Sequence, residues 1–231
     1  MTLGTGAVSI KRIQVLENPT RTDFGWIQER LSKKLITPIG IDEVREESIG
    51  WCHPFSGDPN LLDARDLCFD NAFVFGLRTD SKKVPGTLFR LQMKAALEAL
   101  SRGTLNNDEG KAKRIPKKMK DAARDRIRQE LLKHTLPAIR LFEIVWHLES
   151  NEIWIATTSK SGFDVFEKLF QETFALPTAI LNPGTMCVEF GRAMHDSDYS
   201  LEKLCDLMPV DILAHRKAAA IAAHSAESVP F

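Results

Sequence analysis

The sequence predicts an α+β protein with antiparallel sheets, and three observations carry that expectation. Residues 142–157 alternate apolar and polar on either side of a turn signal, the pattern of a β-hairpin. Several other stretches space their apolar residues by three and four, the pattern of helices with one buried stripe. From residue 142 to 181 the order is strand, strand, helix, strand, which suits a helix laid on one face of an antiparallel sheet. With 231 residues, 43% of them apolar and 27% charged, the chain is long enough to bury a real core.

Taken in order, Val8 to Leu16 mixes β-branched residues with charges and reads as a half-exposed strand, followed by a turn signal at Asn18-Pro19. Phe24, Ile27, Leu31 and Leu35 form one helical stripe, with Thr22 as N-cap and Pro38 and Gly40 beyond the helix end. Asp42 to Asp66 is acidic and then loop-like around Gly50-Trp51-Cys52-His53-Pro54, with Glu43, Glu46 and Glu47 read as an exposed acidic helix start. Phe69, Phe73, Phe75 and Leu77 share one face of a strand from Cys68 to Arg78. Pro85 suits the first turn of a helix through Leu88, Leu91, Ala95 and Ala99, and Gly103 to Gly110 reads as a loop. A second helix follows Pro116, carries Met119, Ala123, Ile127 and Leu131, and stops at Leu136-Pro137.

The hairpin sets Phe142, Ile144, Trp146 and Leu148 against Ile153, Ile155 and Thr157 across Ser150-Asn151. Phe163, Phe166, Leu169 and Phe170 then make a helical stripe, and Pro177 to Leu181 a short strand. Leu201 to Leu207 and the alanine-rich Val210 to Ala223 read as a helical tail. The expected organisation is an N-terminal α+β unit (1–110), a basic loop and helix connector (111–140), a ββαβ unit (141–183) and a divergent tail (184–231). Two strand-and-helix units would thus be joined by one long basic helix.

Charge is the feature that points to a function. The chain balances 31 Lys and Arg against 31 Asp and Glu, yet the balance is uneven along it. Between Lys111 and Arg140 eleven basic residues meet three acidic ones, so this segment carries +8 and the remainder −8. Lysines and arginines so clustered neutralise phosphates and release counterions without reading bases. Lys117, Lys120, Arg124 and Arg128 recur at helical steps and share a face beside the apolar stripe. Lys118 adjoins them, and Lys111, Lys113 and Arg114 form a basic arm before the helix. The plainer reading is a solvated face with local ion pairs to Asp121 and Asp125.

Other groups offer less. Trp51 could stack on a base, but a Trp in such a loop more often plugs the core. Trp146 and Trp154 read as core or interface. Cys52, Cys68, Cys187 and Cys205 form no Cys-x-x-Cys pair and read as thiols rather than zinc ligands. His195-Asp196-Ser197-Asp198 is the one tight group of ligating residues, too few for a nuclease site. Cys52 with His53 could be a thiol–imidazole pair, although neighbours on extended chain point apart. No phosphate-loop, Rossmann or nucleophile-elbow motif occurs. The chain is therefore expected to have no catalytic residues, metal or cofactor. Its opening residues do not read as a signal peptide, and no apolar run approaches the length expected of a membrane helix.

Several short blocks in order resemble the RdgC family. They are Thr37-Pro38-Ile39-Gly40 with Gly50-Trp51-Cys52-His53-Pro54; the strand Phe69 to Arg78 running through Lys82-Lys83-Val84-Pro85; Lys117-Lys118-Met119-Lys120 leading to Leu136-Pro137; the hairpin; and Leu176-Pro177. Together they span about residues 8–183. The chain departs from the pattern in having Cys52-His53 for Val-Pro and Leu136-Pro137-Ala138-Ile139-Arg140 for Leu-Pro-Arg-Ala-Phe, and it resembles a C-terminally shortened or divergent member. The resemblance implies a cytoplasmic, nucleoid-associated homodimer that encircles double-stranded DNA in a basic channel and restrains a RecA-type recombinase. The family is sometimes labelled an exonuclease, a label no motif here supports. The expected function is sequence-independent duplex binding through Lys111, Lys113, Arg114, Lys117, Lys118, Lys120, Arg124 and Arg128. The alternatives are a protein–protein module that keeps the fold without a DNA channel and a metal-dependent nuclease.

Overall fold

Alternating apolar residues build one seven-stranded sheet. The computed structural model describes residues 8–17, 23–105 and 115–186. The strands are β1 (Lys11–Val15), β2 (Glu47–Cys52), β3 (Cys68–Phe69), β4 (Ala72–Ser81), β5 (Ala138–His147), β6 (Glu152–Ile155) and β7 (Thr178–Ile180). Their order is β2-β4-β5-β6-β1-β7, with β3 also on β4. Every pairing is antiparallel. The longest ladder joins β4 to β5 from Ala72↔His147 to Ser81↔Ala138. The class is α+β as expected, and both strand-and-helix segments contribute to this one sheet: β1 lies between β6 and β7. The chain divides into two compact units, Met1–Ile180 and Leu181–Phe231, the first of which holds every strand named above.

One face of the sheet presents Ile13, Val15, Trp51, Phe73, Phe75, Leu77, Ile144, Trp146, Ile153 and Ile155, all buried. Helix α1 (Phe24–Ser32) adds Ile27 and Leu31, and helix α4 (Lys160–Phe174) adds Phe163, Phe166, Leu169 and Phe170. Each such side chain contributes about 1.5–3 kcal/mol by leaving water. The aromatic rings meet mostly edge-on or tilted, as Trp51 does with Phe75 at 5.2 Å and 73°. The Trp51 indole N–H donates to Thr173 Oγ1 at 2.8 Å, so the deepest polar atom of that ring is satisfied.

Several local expectations are corrected. The segment read as a loop around Trp51 is strand β2, and Trp51 is a fully buried core residue. Glu43 and Glu46 precede that strand and Glu47 begins it, so no acidic helix starts there. Leu35 is not on α1, which ends at Ser32; it makes a parallel bridge with Trp51. That crossing needs Gly50, where a Cβ would lie 2.4 Å from the Ile36 nitrogen. The single strand expected from Cys68 to Arg78 is two, β3 and β4, turned at Asp70 with φ 51°; Phe69 is exposed rather than sharing a face with Phe73. Asp23, not Thr22, is the N-cap of α1, with no side-chain capping bond.

Helices α2 (Gly86–Leu105) and α3 (Lys117–Lys133) follow β4 as a pair packed on each other. Helix α2 continues through Gly103, Thr104 and Leu105, which had read as loop; a single glycine near a helix end costs about 1 kcal/mol and does not stop it. The turn expected at Asn18-Pro19 and the tail expected from Leu201 lie outside the described residues.

Candidate nucleic-acid interface

Helix α3 carries seven Lys or Arg against three Asp or Glu over 17 residues. Its anchoring residues are at the C-terminal half, where Ile127, Leu131 and Leu132 are buried. No residue of its N-terminal half, from Lys117 to Asp125, is buried. Pro116 occupies the N-cap without a side-chain bond, and no acidic residue lies in the first turn. Instead Lys117 and Lys118 open the helix, exposed, with Lys120 half-buried behind them. Unpaired main-chain N–H groups and the positive end of the helix dipole therefore share this turn with three ammonium groups. Such an arrangement opposes helix stability and favours an anion.

Arg124 sits one turn further on, where it faces two open grooves. One, of about 530 Å³, runs between the helices and is lined by Arg90, Lys94, Glu98 and Arg124 with Phe89 and Met93. The other, of about 560 Å³, lies at the root of the helix pair and is lined by Lys83, Arg124 and Arg128 with Glu46, Asp125 and Phe89. Sharing Arg124 and Phe89, the two grooves adjoin. Among the described residues Lys83, Arg90, Lys94 and Arg124 have no carboxylate within ion-pair distance.

Arg128 differs from its neighbours. Its Nε and Nη2 donate to the two carboxylate oxygens of Glu46, both at 2.7 Å. The hydrogen bond and the charge of Glu46 raise the guanidinium pKa further. The structure thus places this predicted contact in a two-pronged ion pair with a residue 82 positions earlier, and not with Asp121 or Asp125. Lys111, Lys113 and Arg114 lie outside the described residues. Lys83, Arg90 and Lys94 were not singled out by sequence. A signal was present in Arg90 and Lys94, an i,i+4 cationic pair on one helix face.

The remaining reactive groups are placed as follows. Cys52 is buried, and burial pushes its thiol up to about 12, so it is not a nucleophile near neutrality. The His53 Nδ1 accepts main-chain N–H groups of Phe55 and Ser56 at 3.3 and 3.2 Å, closing a turn. On the sheet face away from the core, Arg12 and Trp154 both donate to the Glu152 carboxylate, and His147 stands beside the Trp154 ring at 4.5 Å. Among the described residues no three His, Cys, Asp or Glu side chains converge to hold a metal ion, and no helix is long and apolar enough to cross a membrane. His195 to Asp198 lie outside them.

The sequence model of a family described as "Putative exonuclease, RdgC" matches residues 10–189. The match begins before β1 and ends after β7, so it takes in the whole sheet and the α2–α3 pair. No curated protein matches the chain at a significant level.

Proposed function

Because the chain belongs to the RdgC family, we propose that it binds double-stranded DNA through the phosphate backbone, without reading bases and without cleaving it. The observation that carries this reading is the first turn of α3: uncapped, free of acids and loaded with Lys117, Lys118 and Lys120. A fold under selection for stability alone would put acids there. Lys83, Arg90, Lys94 and Arg124 extend the same positive strip along the adjoining grooves. Contacts of this kind hold DNA in register but carry no sequence information. A protein so bound would limit the access of a RecA-type recombinase to DNA, acting as a homodimer in the nucleoid of the cytoplasm.

A protein-partner reading is favoured by one observation: Leu88 and Leu91 are 42% and 62% exposed on α2. Anisotropy titration of a labelled duplex of roughly 30 base pairs across a salt series separates the two, because log K should fall by about 0.9 per phosphate neutralised. Wild type is expected to show a steep slope, and a Lys117/Lys120/Arg124 charge-removal variant a shallower one. Absence of binding at low salt would leave the helix pair to a protein partner. Incubating plasmid with Mg²⁺ or Mn²⁺ tests for cleavage, and any nicking would overturn the non-catalytic reading.

A further inference from the structure

The root of the α2–α3 pair contains a buried cation whose hydrogen bonds are all made to the chain itself. Lys82 directly follows β4 and is 3% exposed. Its Nζ donates to the carbonyls of Ile41 at 2.6 Å, Glu43 at 2.8 Å and Leu132 at 3.2 Å. An ammonium has three protons, and all three are used on main-chain carbonyls. The Leu132 carbonyl belongs to the last turn of α3, where a cation complements the helix dipole. The main-chain N–H of Lys82 also donates to the Glu46 carbonyl at 2.8 Å. Four residues after this lysine α2 begins, and α3 ends beside it, so both feet of the pair meet at one side chain.

Besides Lys82, the buried side chains of Ile127, Leu131 and Leu132 anchor α3 near the same root. Up to Arg102, no residue of α2 is buried, and its packing partner is α3. At the outer surface the Arg128–Glu46 ion pair ties α3 to the same 41–46 segment, but both side chains there are about half exposed and such pairs contribute little.

We propose that Lys82 is a positioning residue for the basic strip: its three carbonyl bonds fix the direction in which α2 and α3 leave the sheet. In that direction Arg90 and Lys94 of α2 line one groove with Arg124 of α3, so cations of both helices can meet phosphates of one duplex together. The inference rests on the duplex-binding reading above. Lysine suits the task because its single flexible ammonium reaches three carbonyls from three chain positions, whereas a planar guanidinium is built for paired acceptors.

The test compares wild type with Lys82→Met, which keeps an apolar stem and removes the ammonium. Amide hydrogen exchange is expected to quicken over residues 41–46 and 131–135 while the β5–β6 hairpin stays protected. Unchanged exchange in those two segments overturns the proposal, whatever DNA does. In the salt-series titration the variant is expected to bind about tenfold more weakly at low salt, with a slope shallower by about 0.9 for each phosphate it no longer neutralises. Partial unfolding would lower the active fraction and leave the slope alone. Quickened exchange with an unaltered slope, whatever the apparent affinity, therefore also overturns the proposal. A wild type that binds no duplex refutes the DNA reading instead, and with it the role in binding given to Lys82. Should Lys82→Met fail to fold, Lys82→Gln, with two donors, takes its place; behaviour identical to wild type in both measurements refutes the idea.

Discussion

Glu46 holds one cation of the candidate interface out of use, so releasing it should strengthen DNA binding. The Glu46→Gln variant keeps the shape of the side chain and removes its charge. In the wild type both carboxylate oxygens accept from Arg128 at 2.7 Å, in the groove that also holds Lys83 and Arg124. The substitution frees one guanidinium and removes one negative charge from the path of the phosphates. At most one further phosphate is then neutralised, which steepens the slope of log K against log salt by about 0.9. Between roughly 50 and 200 mM salt, about a fourfold change, the ratio of variant to wild-type affinity should fall by roughly 3.5-fold. The variant binds tighter at the low-salt end. Folding should be little affected, because the side chains of the pair are 55% and 45% exposed and surface pairs contribute little. Anisotropy titrations of one labelled duplex across a salt series read both quantities. An equal or shallower slope in the variant would refute the reasoning, since Arg128 would then lie off the path of the DNA.

Other outcomes follow from the core and the sheet. Trp51→Phe should destabilise the fold more than Trp146→Phe, by roughly 1–3 kcal/mol in chemical denaturation, because only the first breaks a buried hydrogen bond; equal losses would contradict this. Glu152 has its pKa lowered from 4.5, first by the hydrogen bond from Arg12, with that from Trp154 adding to it. The contribution of this carboxylate is therefore present above the unfolded value and is lost as pH falls below about 4.5 through the folded value. Wild type should thus be the more stable of wild type and Glu152→Gln near neutral pH, and their difference should shrink on acidification through that window. A difference that stays constant or widens on acidification would rule the coupling out.

How much was legible in sequence depended on whether a signal was local. The β5–β6 hairpin, α3 and α4 follow from period-two and period-3.6 patterns carried by their own residues. Strand β2 was hidden because Gly50 and Pro54 read as turn residues; its glycine is there for the close crossing of the Ile36 backbone, a contact from another segment. Leu35 continued the α1 stripe by spacing, yet its backbone pairs with Trp51. The basic helix itself was visible from composition, while its ion pair and its grooves were not. Arg128 meets Glu46 only because α3 docks beside the 41–46 segment, and Arg90 and Lys94 reach Arg124 only through helix packing.

The sheet order also constrains how the chain is made. Strand β1 emerges first, but its partners lie far downstream: Lys11 pairs with Ile155, and Val15 with Thr178. At about 5–20 residues per second of synthesis, the first strand waits roughly 7–30 s before β6 leaves the ribosome. During that time Ile13 and Val15 have no sheet to enter, and the β4–β5 ladder must form without them. Adjacent positive charges such as those of Lys11 and Arg12 disfavour the pairing of an exposed strand edge with another chain.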